Sequence, residues 1–535
     1  MNNLGIILII FGILLALQAF ADKIKLPNAV LLVLVGLSLW FIPGLPHLEL
    51  NPDVVFLLFL PPILYDAASH TSWHDFKSEI KPISTLAITL VFLTTVAVAV
   101  ACYFTIPGFT WPLAFVLGAI VSPPDAAAAT SIIKGMGLNK KVITILEGES
   151  LLNDASALIA YRFAIAAIGT GSFVFAQAGI DFIVVACGGV LAGMVIGSLF
   201  ILLHKIIANN SIISTSLTLL TPFVVYLVAE YFNTSGVLAV VSAGLMISWR
   251  SSEIFSYETR IRNSAVWDTI IFLLNGFIFI IIGLQLPSIL DDLNEYQMND
   301  LIAYGLLVAG VTTAVRVLWV FGASFSFFKN SANKDSQEQK DTWKNVLIVA
   351  WTGTRGVVSL ATALALPLTL SSGAEFPHRS LILFLAFVVI FVTLVIQGLS
   401  LPLLVKVLNV KAHGHADEER DLRLLMATNV ISFIDHELSA TVNEQIKSQV
   451  KRPYAEIVRV LSKEMKKESD KNRVVFPAGD GATVIEAKRD IQQFQRQLLI
   501  DFHQSGTFHQ STIRRLESEL DYEELQLKKR ETTHK

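Results

Sequence analysis

The chain is poor in charge. Only 16% of its 535 residues are Asp, Glu, Lys or Arg, where a soluble protein of this size carries about a quarter. The shortage is local. Residues 1–410 hold 20 Lys/Arg and 23 Asp/Glu, while residues 411–535 hold 21 of each. So little charge excludes a water-exposed surface over the first part. The pattern reads as a membrane domain, 1–410, followed by a soluble segment, 411–535, with the boundary near Asn409 to Gly414. Cysteine is scarce too. Cys102 and Cys187 both sit in apolar runs, which excludes a disulfide framework and makes them small buried residues. The start, MNNLGIILIIFGILLALQAF, lacks the basic region of a signal peptide and reads as a first spanning helix. Nothing in the composition calls for nucleic acid or a cofactor.

Apolar length is abundant. A spanning helix needs about 20 mostly apolar residues, and thirteen segments qualify: 3–21, 27–44, 53–70, 82–105, 111–134, 142–168, 181–204, 211–232, 235–250, 264–288, 301–328, 344–368 and 380–408. Assigning alternate loops to the two sides puts fifteen Lys/Arg on one side and only Arg379 on the other. The basic side is therefore cytoplasmic. The N-terminus is then outside and the charged tail inside. In the tail, LRLLMATNVISFIDHEL and TIRRLESELDYEELQLKKR have helical periodicity, and Pro453 and Pro477 are expected to break it. No catalytic or nucleotide motif appears there, so the tail reads as a helical, regulatory module.

Charge inside the spans is expensive and marks a pathway or a pair. The residues concerned are Asp66, Asp125, Glu147, Glu149, Asp154, Arg162, Asp268, Arg316 and Arg355. At helical rise, Asp154 lies roughly 18 Å in from the cytoplasmic side and Arg355 about 16 Å; Asp125 is about 21 Å and Asp66 about 20 Å from the outside. Four helices thus bring a charge near the midplane, where transporters keep their sites. For Arg162, Arg316, Glu147 and Asp268, pairing or snorkelling is the expectation, and Asp125 is open to a role as the cap of a helix break. In EGESLLNDASAL, 147–158, Ser150 and Asp154 share one face and Glu149 and Asn153 the next. Glu149 and Asp154 point to different partners, and Arg355 is taken as the arginine that neutralises Glu149.

Two stretches look like broken helices. SPPDAAAATS carries Pro123 and Pro124, and WTGTRGVVS carries Gly353 and Gly356 around Arg355. Irregular backbone at this depth is tolerated where it is buried in protein or lines a cavity. The breaks fall in helices five and twelve, an odd offset, as an inverted-topology repeat requires. The expected fold is an all-α polytopic membrane protein of about thirteen helices, with inverted-topology repeats, discontinuous helices 5 and 12, and a cytoplasmic helical tail.

GESLLNDA at 148–155 resembles the signature helix of monovalent cation:proton antiporters, in their electroneutral sodium/proton exchanger branch. FLPPILYDAA (59–68), GAIVSPPDAAA (118–128) and GTRGVVSLATALALP (353–367) are similar to further motifs of that family, in the same order. The resemblance implies that Asp154 binds cation and proton by turns, and that Asn153 marks the electroneutral branch. Ser150 and Asp66 would be further oxygen ligands of Na⁺. Glu149 and Arg355 would form a structural ion pair. It also implies a homodimer in the cell membrane, with one bundle moving against a dimerisation domain. The chain departs from the family at Pro124–Asp125–Ala126, where a threonine oxygen is missing. Ligation near Pro124 and Asp125 then falls to a backbone carbonyl or water. A carboxylate half-way across, reached from one side at a time, holds either H⁺ or a hard cation, and each displaces the other. The expected activity is one-for-one exchange of Na⁺ (or Li⁺ or K⁺) for H⁺. An intramembrane aspartyl protease using Asp125 and Asp154, and a cation channel, are the alternatives.

Overall fold

The computed structural model describes residues 3–21, 28–41, 52–125, 140–170, 175–207, 210–330, 336–370, 373–408, 415–438, 443–464 and 482–533. Among these the regular structure is helical, and an isolated bridge joins Thr369 to Glu375. The helices are α1 (Asn3–Ala21), α2 (Asn28–Leu39), α3 (Pro52–His70), α4 (Trp73–Ser78), α5 (Ile80–Thr105), α6 (Trp111–Val121), α7 (Lys140–Thr170), α8 (Phe175–Ile207), α9 (Ser211–Tyr231) and α10 (Gly236–Trp249). After them come α11 (Ser251–Ile254), α12 (Tyr257–Asp291), α13 (Met298–Asn330), α14 (Ser336–Trp351), α15 (Val357–Leu364) and α16 (Arg379–Leu408). The tail supplies α17 (His415–His436), α18 (Glu444–Glu464), α19 (Ala482–Ser505) and α20 (Gln510–Thr533).

Every apolar segment expected from the sequence contains helix. Seven helices are long and apolar enough to cross a membrane, and shorter apolar helices fall at α1, α2, α3, α6 and α10. The expected twelfth segment is cut between α14 and α15 by Thr352–Gly356. The fifth stops at Val121, and residues 126–134 of that segment lie outside the described residues. Inside α5, Thr85–Leu90 winds as a π-helix and packs on α7 and α13. Such a widened turn commonly adjoins a functional site.

The chain packs as two compact units. The first contains Met1–Leu203, Ser216–Trp249 and Ala265–Lys411. Within it, α5, α6, α7, α13, α14, α15 and α16 form one closely packed bundle. A second set is held by small residues at backbone crossings. Gly189 and Gly193 of α8 lie so close to Ser235, just before α10, and to Ala239 of α10 that a methyl group would strike their carbonyls, and Gly36 of α2 meets Gly283 of α12 in the same way. Close backbone approach of this kind drives helix association where lipid offers no hydrophobic gain. α3 packs along α10, and Trp267 of α12 donates a hydrogen bond to Thr218 of α9 at 3.2 Å. Cys102 is buried, but Cys187 on α8 is exposed, contrary to its apolar context.

The second unit contains His204–Thr215, Arg250–Ser264 and Ala412–Lys535. Its tail helices have two apolar cores. One gathers Val430, Ile434, Val450, Ala487 and Ile491; the other gathers Leu422, Met426, Leu499, Ile513, Leu516 and Leu520. Pro453 does not break the pattern as expected, because it sits inside α18. Packing of α18 on α17 and α19 outweighs the one backbone hydrogen bond that proline removes. Pro477 lies outside the described residues. The unit is bound together by charge as well. Arg260 donates through Nε to Asp521 Oδ2 at 2.8 Å and through Nη2 to Oδ1. Arg496 reaches Asp521 at 2.9 Å and also Glu524.

Candidate functional site

Two interrupted helices meet in the first unit, and each supplies what the other lost. Pro123 and Pro124 have no N–H, so α6 ends with unfilled carbonyls. The Val121 carbonyl, which Asp125 would bond in a continuous helix, instead accepts Arg355 Nε at 2.9 Å. The freed Asp125 N–H donates to the Thr354 carbonyl at 2.6 Å, and Thr354 Oγ1 donates back to the Asp125 carbonyl at 2.9 Å. Ser359 Oγ lies 3.5 Å from the Pro123 carbonyl. Arg355 also bonds the Gly353 carbonyl, and its backbone N–H reaches Thr393 Oγ1 at 3.2 Å. Its guanidinium therefore sits at the negative end of the α6 dipole. The Asp125 carboxylate presses on Gly356, the residue before α15, so closely that a Cβ there would overlap it. Asp125 thus stands at the N-terminal, positive end of α15.

The third element is α7. Asn153 is fully buried. Its Nδ2 donates to the Pro124 carbonyl at 2.7 Å, while its Oδ1 has no hydrogen-bond partner among the described residues. A buried acceptor left empty is costly. Asp154, next in the chain, is buried and close enough to Asp125 for the two carboxylates to interact. Among the described residues it receives no hydrogen bond. The arrangement offers anionic and neutral oxygens at the crossing of two broken helices, as a desolvated monovalent cation or a proton requires. Ser150 lies one turn earlier on α7, partly buried and with a polar partner of its own.

The expected Glu149–Arg355 pair is not formed. Glu149 is bound by Arg316 of α13, with Nη2 to Oε2 at 2.9 Å and Nη1 to Oε1 alongside. Both side chains are 2% exposed. Arg316 Nε also bonds the Val349 carbonyl at 3.2 Å. Gly353 is required here, since a Cβ would stand 2.7 Å from Arg316 Cδ. Arg316 was expected to pair or snorkel, and it pairs, through the bidentate contact that suits a planar guanidinium. Arg355 serves backbone carbonyls. Asp66 is grouped otherwise. Its Oδ1 lies 3.4 Å from His70 Nδ1, and Asp268 of α12 is its acidic neighbour.

A sodium/hydrogen exchanger transmembrane model matches residues 6–407. The chain belongs to the sodium/hydrogen exchanger family. Among its relatives, a "sodium, potassium, lithium and rubidium/H⁺ antiporter" of Bacillus pumilus is 36% identical over 73% of this chain, and the match spans 60% of that relative's length. An uncharacterised Na⁺/H⁺ exchanger of Mycobacterium bovis is 32% identical over 93% of this chain and 91% of its own. In fold, this exchanger-family chain resembles the solved sodium proton antiporter MjNhaP1 of Methanocaldococcus jannaschii. The TM-score is 0.58 at 20% identity, covering 76% of this chain and 99% of that one. An all-α polytopic membrane protein is thus the fold class.

Proposed function

We propose that the chain exchanges a monovalent cation for H⁺ by alternating access at Asp154. The observation that carries this is the buried pair of Asp154 and the unfilled Asn153 Oδ1, placed where the two broken helices cross. Ser150, one turn away, adds an oxygen, and Asp66, although grouped with His70 and Asp268, contributes through water. Pro124 offers the second lone pair of a carbonyl that Asn153 already uses. Asp125 and Arg355 hold the crossing in shape, and Glu149 with Arg316 braces α7. The Bacillus pumilus relative is named for four alkali cations, and a site built from few fixed oxygens favours similar breadth here. Asn153 cannot release a proton, so one-for-one, electroneutral exchange follows. The tail on the cytoplasmic side, a homodimer and a cell-membrane location complete the reading. Family membership and the crossed breaks weigh against a protease or a channel.

The test is ΔpH-driven transport in proteoliposomes with Na⁺, Li⁺ and K⁺ compared. Asp154→Asn is expected to abolish exchange while leaving a folded protein. Exchange near the wild-type rate in that variant would sink the assignment. Electroneutrality is checked with Na⁺ as substrate and the potential clamped by K⁺ and valinomycin. Equal rates at zero and −100 mV are expected, because one net charge would feel about 2.3 kcal/mol.

A further inference from the structure

α7, which carries Asp154, packs against α3 and α10 of the second helix set, and one end of that contact is shut. At this end, Tyr161 of α7 is 2% exposed and Leu158, one turn outward from Asp154, is 5% exposed. The Tyr161 ring stands edge-on to Phe56 of α3 at 6.0 Å, and its hydroxyl donates to the Ala365 carbonyl at 3.1 Å. Beside it, Arg162 Nη2 donates to Glu230 Oε1 of α9 at 2.8 Å. The opposite end of α3 is more open, with the His70 side chain 60% exposed and Asp66 21% exposed.

The Arg162–Glu230 pair joins the helix that carries Asp154 to the α9–α10 hairpin. The same Glu230 oxygen also accepts the Gly236 N–H at 3.0 Å. If Arg162 lets go, Glu230 keeps a donor within its own hairpin, and Arg162, half exposed, can turn to water. Both partners have somewhere to go, which suits a contact made and broken in every cycle. A buried pair would not allow this, since parting it strands a charge. Glu149–Arg316 is such a pair, and both its members belong to one bundle.

We propose that Arg162 and Glu230, with the Phe56–Tyr161 contact behind them, form the gate that closes one face of the exchanger in this conformation. The pair must open before Asp154 is reached from that face. This rests on the alternating-access reading above. With the tail cytoplasmic, the closed face is the external one.

The test uses the full chain in proteoliposomes, with Cys102 and Cys187 replaced and Leu158→Cys as reporter. A membrane-impermeant methanethiosulfonate is added to one face at a time. Arg162→Gln and Glu230→Gln are each expected to speed labelling from the closed face about three- to five-fold, the scale of an exposed ion pair. The charge-reversed pair Arg162→Glu/Glu230→Arg should return the rate toward wild type. Unchanged labelling in both single variants would overturn the proposal. In a second arm, without the reporter, Arg162→Cys/Glu230→Cys is cross-linked. Exchange should stop and then recover on reduction; exchange undiminished in a fully cross-linked sample would also overturn it. Labelling reads the gate even in a protein that exchanges nothing. A wild type inactive with every cation would therefore count against the transport reading and leave the gate result standing.

Discussion

Removing Arg316 strands Glu149. The pair is buried on both sides, and one uncompensated charge left in such a bundle destabilises by about 3–5 kcal/mol. Arg316→Ala is therefore expected to lower the melting temperature and yield in detergent, and Glu149→Gln with Arg316→Gln should recover part of the loss. Arg355→Ala should not be rescued by Glu149→Gln, because Arg355 serves the Val121 and Gly353 carbonyls. Rescue there would show that the carboxylate belongs to Arg355 after all. This partnership was within reach of the sequence. Glu149 lies seven residues past Val142, about 10 Å from the inner surface, and Arg316 lies fifteen past Leu301, about 22 Å from the outer one. Across a core of about 30 Å the two fall at nearly the same depth. Arg355 matches Asp154 instead. What the sequence withheld was the neighbour relation of α7 and α13.

At the scale of elements, one dipeptide has two fates. Pro61–Pro62 lies inside an uninterrupted α3, while Pro123–Pro124 follows the end of α6. The local cost is alike, since each proline removes a donor. The difference lies in what surrounds them. Around Pro123–Pro124, Arg355, Thr354 and Ser359 supply donors and acceptors to the broken turn. The tandem prolines at 123 and 124 made one break legible, and the glycines flanking Arg355 the other; the bonds between them depend on the fold. Gly356 tests the crossing. Its backbone, φ −125° and ψ −153°, suits any residue, so alanine fails there only by collision with Asp125. Gly356→Ala is expected to cut exchange at least about tenfold, the effect of a displacement near 1 Å at a positioned site. Gly310→Ala on α13, where a Cβ meets nothing within 4 Å, should exchange as wild type does. Equal activity in the two variants would show that Asp125 yields freely and that the crossing is not held tightly.

At the scale of the whole molecule, the tail is more than an appended charge-rich segment. The composition step near residue 410 located it, and periodicity found its helices. Neither could show that residues 250–264, read as lying around a loop between spans, fold into the same compact unit as the tail. The Arg260 side chain is 12% exposed, and its partners Asp521 and Glu517 are 4% and 10% exposed. Its acidic partners among the described residues come from α20, with Glu524 also acting on it from there. Its Nη1 meanwhile bonds the Phe255 carbonyl. Deleting 415–535 should preserve the order of cation preference, because Asn153 and Asp154 lie elsewhere, and should shift the maximal rate or pH dependence. It should also leave Arg260 with a backbone carbonyl but no countercharge. The truncated protein is then expected to melt lower than the full chain, and Arg260→Gln in the truncated background should regain part of the difference. In the full chain the same substitution should do the reverse, since it leaves Asp521 to Arg496 alone. The opposite signs make the comparison decisive. If Arg260→Gln moves the melting temperature in one direction with and without the tail, the α20 carboxylates are not what holds Arg260, and the tail's effect on exchange must act through another contact.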